Sequence, residues 1–257
     1  MSHFSVAVFT DGTKTVDELL APYDESIVAE EYIDMTREDI IKHAKEQAKK
    51  IISKINSGKE PTEQEKAYLK ANTDEEFYRL GFDPYGTYDD TGNLLSTYNP
   101  KSNGDWYDIG GRWHGYCLAY GIDPNGMRVS ELLKIKDDIM LGQSAYRNAI
   151  RFWELYVEGE EPATDDDKRL VNFVLYSKEY YLNRYKDKET YAGLQAQFST
   201  FAVVLPDGSW HEPGQMGWFG CSSASDEEAI DWEKNYIERF ICGADPNWTM
   251  TVVDCHI

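Results

Sequence analysis

Basic residues are scarce in this chain. Against 46 Asp and Glu stand only 26 Lys and Arg in 257 residues, a formal net charge of −20. That excess repels nucleic acid phosphates at long range and argues against a general DNA or RNA binder. A small phosphate-bearing ligand is not excluded, because it responds to the field at its own site. No apolar run reaches the 18 or so residues of a membrane span. The 4 cysteines, Cys117, Cys221, Cys242 and Cys255, form no CxxC pair and are too few for a disulfide framework in a chain this long. Cys117, Cys221 and Cys242 read as small apolar core residues. The opening residues lack a basic stretch followed by an apolar core and a cleavage site, so no secretory signal is expected and the cytoplasm is the expected compartment. What the chain does have is apolar and aromatic content, 41% and 14%. That is too much for an acidic disordered chain and enough for a buried core.

Strand signals sit at both extremities. His3 to Phe9 reads as one strand, ending at Asp11-Gly12, and Thr249 to Ile257 alternates as another. Helical signals lie between them. Thr36 with Asp39, Thr62 with Glu65, Thr73 with Glu76 and Ser225 with Glu228 each resemble a helix start, in which hydroxyl and carboxylate cap each other's backbone amide. Residues 81–126 are rich in glycine and proline and read as loop and turn with one short strand. Residues 130–198 read as a helical hairpin, an insertion or dimerising arm, broken by Glu158-Gly159-Glu160-Glu161-Pro162. Phe201 to Leu205 is a strand, and Pro206-Asp207-Gly208 turns it toward Ser209-Trp210-His211. If the chain is one domain, both termini must enter one sheet. The expected fold is therefore α+β: a single domain over 1–257, with an antiparallel sheet that includes both termini, helices packed on it and the 130–198 insertion.

Three constellations could carry chemistry. In the run from Asn99 to His114, Gly110-Gly111 permits close backbone approach, Arg112 could hold a phosphate, and Trp106 or Trp113 could stack on a base, with Tyr107 and Asp108 beside them. The plain structural alternative ties Arg112 to Asp105 or Asp108 and puts the tryptophans in the core. Asp254 and His256, two apart, share one face of the terminal strand, while Val253 and Cys255 share the other. Asp254 could orient His256 as an acid/base group near neutrality; otherwise the two form a polar face at a frayed end. His3 and Ser5 similarly share a face of the opening strand. If the terminal strands pair, His3 and His256 share a cleft, suited to metal-independent phosphodiester cleavage with one as acid and the other as base. A mixed site of His3, Asp254 and His256 with Asp105 or Asp108 competes for the same atoms, but no HExxH or CxxC supports it, and no metal or cofactor is expected. Gly214 to Gly220, with Trp218, is a second Gly/aromatic loop that could line the pocket or simply form a packed turn.

Together, Ser2-His3-Phe4-Ser5-Val6, Leu20 to Glu25, Asn99 to Trp113, Gly217-Trp218-Phe219-Gly220 and Val253-Asp254-Cys255-His256 resemble a family of small phage and prophage proteins of mostly unassigned function. The resemblance spans the whole chain and implies counter-defence inside a bacterial host, through proteins that sequester or cleave nucleotide immune signals. The function expected is binding and phosphodiester cleavage of a nucleotide-derived signal. His3 and His256 would be acid and base, Asp254 the partner that orients His256, and Trp106, Tyr107, Asp108, Arg112, Trp113, Ser5 and Trp218 the ligand contacts. The alternatives are a non-catalytic sponge for a nucleotide or ADP-ribose derivative, and an acidic protein that blocks a host factor. The expected partner is a small nucleotide, with no nucleic acid polymer and no membrane, and the helical arm leaves room for a homo-oligomer.

Overall fold

A computed structural model describes residues 2–140, 142–217 and 221–257. Its fold is α+β. The expected single domain resolves into two compact units, one formed by 1–25 with 101–257 and the other by 26–100. The larger unit opens with β1 (His3–Thr10) and α1 (Val16–Leu20).

The smaller unit contains β2 (Tyr32–Met35), α2 (Arg37–Asn56), α3 (Glu63–Lys70), α4 (Asp74–Gly81), β3 (Thr87–Tyr88) and β4 (Leu94–Ser96). The capping boxes expected at Thr36, Thr62 and Thr73 all form, so each helix begins where its hydroxyl residue satisfies an otherwise orphaned amide. Ile40, Ala44, Ala48 and Ile51 place the buried stripe of α2 at helical spacing. The strands pair in the order β2-β4-β3, all antiparallel.

The larger unit continues with β5 (Tyr107–Ile109), α5 (His114–Ala119), β6 (Met127–Arg128), α6 (Val129–Leu132), α7 (Lys136–Met140), α8 (Gln143–Trp153), α9 (Asp165–Leu170), α10 (Lys178–Tyr185) and α11 (Lys188–Ala196). Then come β7 (Ala202–Val204), β8 (Trp210–His211), α12 (Asp226–Tyr236) and β9 (Thr249–His256). The region expected to be a two-helix arm is a cluster of short helices, because caps at Thr164, Ser177 and Asp187 restart the helix three times. The 81–126 stretch likewise holds more strand than expected: β3 and β4 pair with each other as a local hairpin, while β4 also pairs the more distant β2 and β5 pairs β9.

The sheet runs β5-β9-β1-β7-β8, with β6 also on β9. Both chain ends enter it side by side. β1 and β9 are antiparallel over their full length, from His3 opposite His256 to Thr10 opposite Thr249. The sheet is mixed, not antiparallel throughout, since β1 and β7 run parallel. Their near-continuous apolar runs suit strands covered on both faces. Ala7, Phe9, Val203, Met250 and Val252 enter one core, packed against Trp232, Tyr236, Phe240 and other helical residues. Phe4, Val6, Val8, Val204, Val253 and Cys255 enter a second with Leu19 and Leu20. Near the C-terminal end of β9 the first face turns polar, and there the candidate residues gather.

Candidate functional site

Register alone brings the two histidines together. His3 lies opposite His256 and Ser5 opposite Asp254, so all four side chains stand on one sheet face. The imidazole centroids are 3.7 Å apart, edge to face. His3 Nδ1 lies 3.0 Å from Asp254 Oδ1 and 3.2 Å from Oδ2. The carboxylate expected to orient His256 therefore orients His3. With Nδ1 engaged by Asp254, Nε2 is the His3 ring nitrogen left to face a ligand.

The Gly-Gly turn sets the other side of Asp254. Gly111 has φ +40°, and a Cβ there would lie 2.4 Å from the Asp254 Cβ. This approach lets the Arg112 backbone N–H donate to Asp254 Oδ2 at 3.1 Å. A similar approach occurs at Gly104, where a Cβ would sit 2.5 Å from the His256 carbonyl oxygen. The Asp105 N–H then donates to that oxygen, and the His256 N–H donates to the Trp106 carbonyl, which extends the β5 edge of the sheet. Trp106, half exposed, lies against the His256 ring with centroids 3.5 Å apart.

The site is buried: Asp254 is 3% exposed and His256 4%. Burial, reinforced by the neighbouring His3, holds the His256 imidazole below its ordinary pKa and hence neutral at pH 7. His3, Asp254 and His256 each offer one ligand atom, all within 4.8 Å of one another. Two imidazoles and a carboxylate are a donor set that divalent transition metals accept, so the same atoms serve either a proton or a metal.

The remaining expected contacts separate. The Arg112 side chain is exposed, and its guanidinium makes no ion pair among the described residues, so it is not tied to Asp105 or Asp108. Asp108 is exposed on β5, opposite Asp254 and on its face. Ser5 is buried, and its oxygen accepts the Phe201 N–H at 3.1 Å, a bond that fixes the entry to β7. Trp113 is not a free stacking platform: its ring packs on the first core and near Tyr116, and its indole nitrogen is buried without a hydrogen-bond partner among the described residues. Tyr107 points to the opposite face, where its hydroxyl donates to Asp17. Trp218 lies outside the described residues.

That opposite face holds a cavity of about 210 Å³ lined by Leu20, Tyr23, Tyr107, Trp210 and Cys255, with Asp17, Asp24 and Asp105 as its charged residues. Neither imidazole and neither glycine of the Gly-Gly turn lines it. Burial pushes the Cys255 thiol up to about 12, so it is no nucleophile at neutral pH. Tyr107 and Trp106, expected as ligand contacts, line this cavity, whereas Leu20, Tyr23, Trp210 and Cys255 were missed as site residues, although Tyr23 belongs to the Leu20–Glu25 motif and Trp210 to the turn-flanked strand.

Fold and site thus define an α+β chain whose two ends close on a buried His/Asp cluster. Compared with family models, curated proteins and solved structures, the chain matches none. Among the described residues no helix is long and apolar enough to cross a membrane.

Proposed function

We propose that this chain binds a nucleotide-derived signal and cleaves a phosphodiester in it, with His3 and His256 as acid and base. One observation carries the reading: two imidazoles from opposite chain ends touch in a buried setting, one on a carboxylate and the other held neutral. Arg112 offers an unpaired guanidinium for phosphate, and Trp106 offers a half-exposed ring for a base. In the reaction a water or ligand hydroxyl attacks phosphorus, and one imidazole takes its proton. A new P–O bond forms as the old one breaks, and the other imidazole, which has to enter the step as imidazolium, gives its extra proton to the departing oxygen and ends neutral. For in-line displacement, acid and base must reach opposite oxygens, so rings 3.7 Å apart have to separate and Trp106 has to leave His256. The resemblance to phage proteins adds the setting, counter-defence in a bacterial cytoplasm. Self-association through 130–198 belongs to the same reading, supported by the exposure of Phe173 and Leu175, 80% and 71%, and sedimentation velocity tests it.

A second reading is favoured by the burial of His256. A site closed by Trp106 suits a sponge that holds its ligand without turning it over. One assay separates the two: the protein is incubated with cyclic dinucleotides and ADP-ribose derivatives, denatured, and the released ligand chromatographed. Altered products that vanish in His256→Gln support the enzyme. Depletion with intact recovery supports the sponge, and neither outcome leaves the acidic interaction protein. Product formation abolished by a chelator and restored by metal overturns the metal-independent mechanism.

A further inference from the structure

The cavity on the Cys255 face takes no part in that chemistry, and its lining has a consistent character. Its walls are apolar and aromatic: Leu20, with Tyr23 and Trp210 at 4.8 Å between ring centroids. Its charges are of one sign. Asp17, Asp24 and Asp105 line it, and no lysine or arginine does. Asp105 Oδ1 is buried and has no hydrogen-bond partner among the described residues. A carboxylate oxygen kept from water without a donor is costly, and a cation held in the adjoining cavity would offset its charge through space. Electron-rich ring faces beside carboxylates attract a cation and repel a phosphate.

We infer that this cavity binds a small organic cation, an ammonium or guanidinium head on a short apolar body. Its volume is below the ~300 Å³ at which pockets for drug-sized ligands begin, which sets the size of the body. Covalent capture is excluded by the protonated Cys255 thiol, so binding is reversible. The nucleotide proposed above has no place among these carboxylates. The cation site is therefore a second site on the other face of β9, with Asp105 and Trp106 bordering both surroundings.

Calorimetry and tryptophan fluorescence test this with four probes: butylamine, agmatine, butanol and butyrate. Saturable binding is expected for both amines, at least about tenfold weaker binding for butanol, a difference of about 1.4 kcal/mol, and none for butyrate. Asp105→Asn keeps the side chain's shape and is expected to weaken amine binding about fivefold or more, with its melting curve recorded in parallel. Should that variant not fold, Trp210→Leu provides the second test, with a loss of similar size. Butanol or butyrate binding as tightly as butylamine overturns the inference, as does the absence of saturable amine binding up to about 10 mM. Because the readout is amine binding, failure of phosphodiester cleavage leaves the result unaffected.

Discussion

The last residues of β9 present two unlike surroundings to the two faces of one sheet. Asp254 and His256 stand among imidazoles, an indole and a backbone N–H, whereas Val253 and Cys255 stand over apolar rings with carboxylates beyond. Strand alternation alone creates the contrast, since neighbouring side chains point oppositely. It teaches that one strand can carry a proton-handling group and an inert thiol in consecutive positions, set apart by what each face packs against. Whatever disturbs one face should therefore leave the other readable.

The largest disturbance is expected at Gly111. An Ala there needs positive φ and drives its Cβ into Asp254, which is buried and fixed by β9. We expect Gly111→Ala to destabilise by about 3 kcal/mol in urea unfolding, from the left-handed backbone and overpacking together. Gly115→Ala provides the contrast. Nothing lies within 4 Å of its added Cβ and the position is helical, so it should stabilise by about 0.5–1 kcal/mol. Equal effects would remove close approach as the reason for the Gly-Gly pair.

Next in size is Asp254→Asn. The neutral amide weakens the bond from His3 and removes the anion that accepts the Arg112 N–H. A loss of about 2 kcal/mol is expected, as for buried hydrogen bonds to charge. The comparison sharpens if amine binding on the Cys255 face is unchanged in the same variant. A concurrent loss of amine affinity would show the two faces to be coupled.

How much of this was legible depends on how local the cause was. Helix starts at Thr36, Thr62, Thr73 and Ser225 could be read because hydroxyl and carboxylate lie three residues apart and satisfy each other. The terminal strands were legible from apolar runs, and alternation placed His3 and Ser5, then Asp254 and His256, on common faces. Which imidazole Asp254 would bond was not legible, because register between chain ends decides it. Pairing with β9 likewise created β5 from a glycine-rich loop whose own propensities favour turns. The cavity joins Tyr23 to Trp210, and composition says nothing about such neighbours. Trp113 fails as a stacking platform because its ring packs on the first core beside Tyr116.

A smaller effect separates the faces by pH. The His256 pKa is depressed in the folded protein, so between its ordinary value of ~6.5 and the depressed one the unfolded chain binds a proton the folded chain refuses. Stability is then present above pH ~6.5 and falls as the solution is acidified through that window. Carboxylates such as Asp89, held at about 2 by the Asn93 N–H, the Thr91 hydroxyl and their neighbours, begin to contribute only below the ordinary carboxylate range of ~4. Melting temperatures from pH 7 to 5 should therefore decline in the natural chain and flatten in His256→Gln. Parallel profiles would show that His256 is not protected from protonation.

The smallest change is Tyr107→Phe, on the other face. Its hydroxyl donates to Asp17 in a partly exposed setting, so about 1 kcal/mol or less is expected near neutrality. The alkaline edge is more telling. Burial foremost, then the Asp17 carboxylate, raises the Tyr107 pKa in the folded state. The unfolded chain therefore loses its proton first, and the stabilisation present below pH ~10 declines as pH rises beyond it. In Tyr107→Phe that part of the decline disappears, while the acid limb assigned to His256 keeps its slope. If the acid limb changed as well, the sheet would not be insulating its two faces, and the assignment of each titration to one side of β9 would fail.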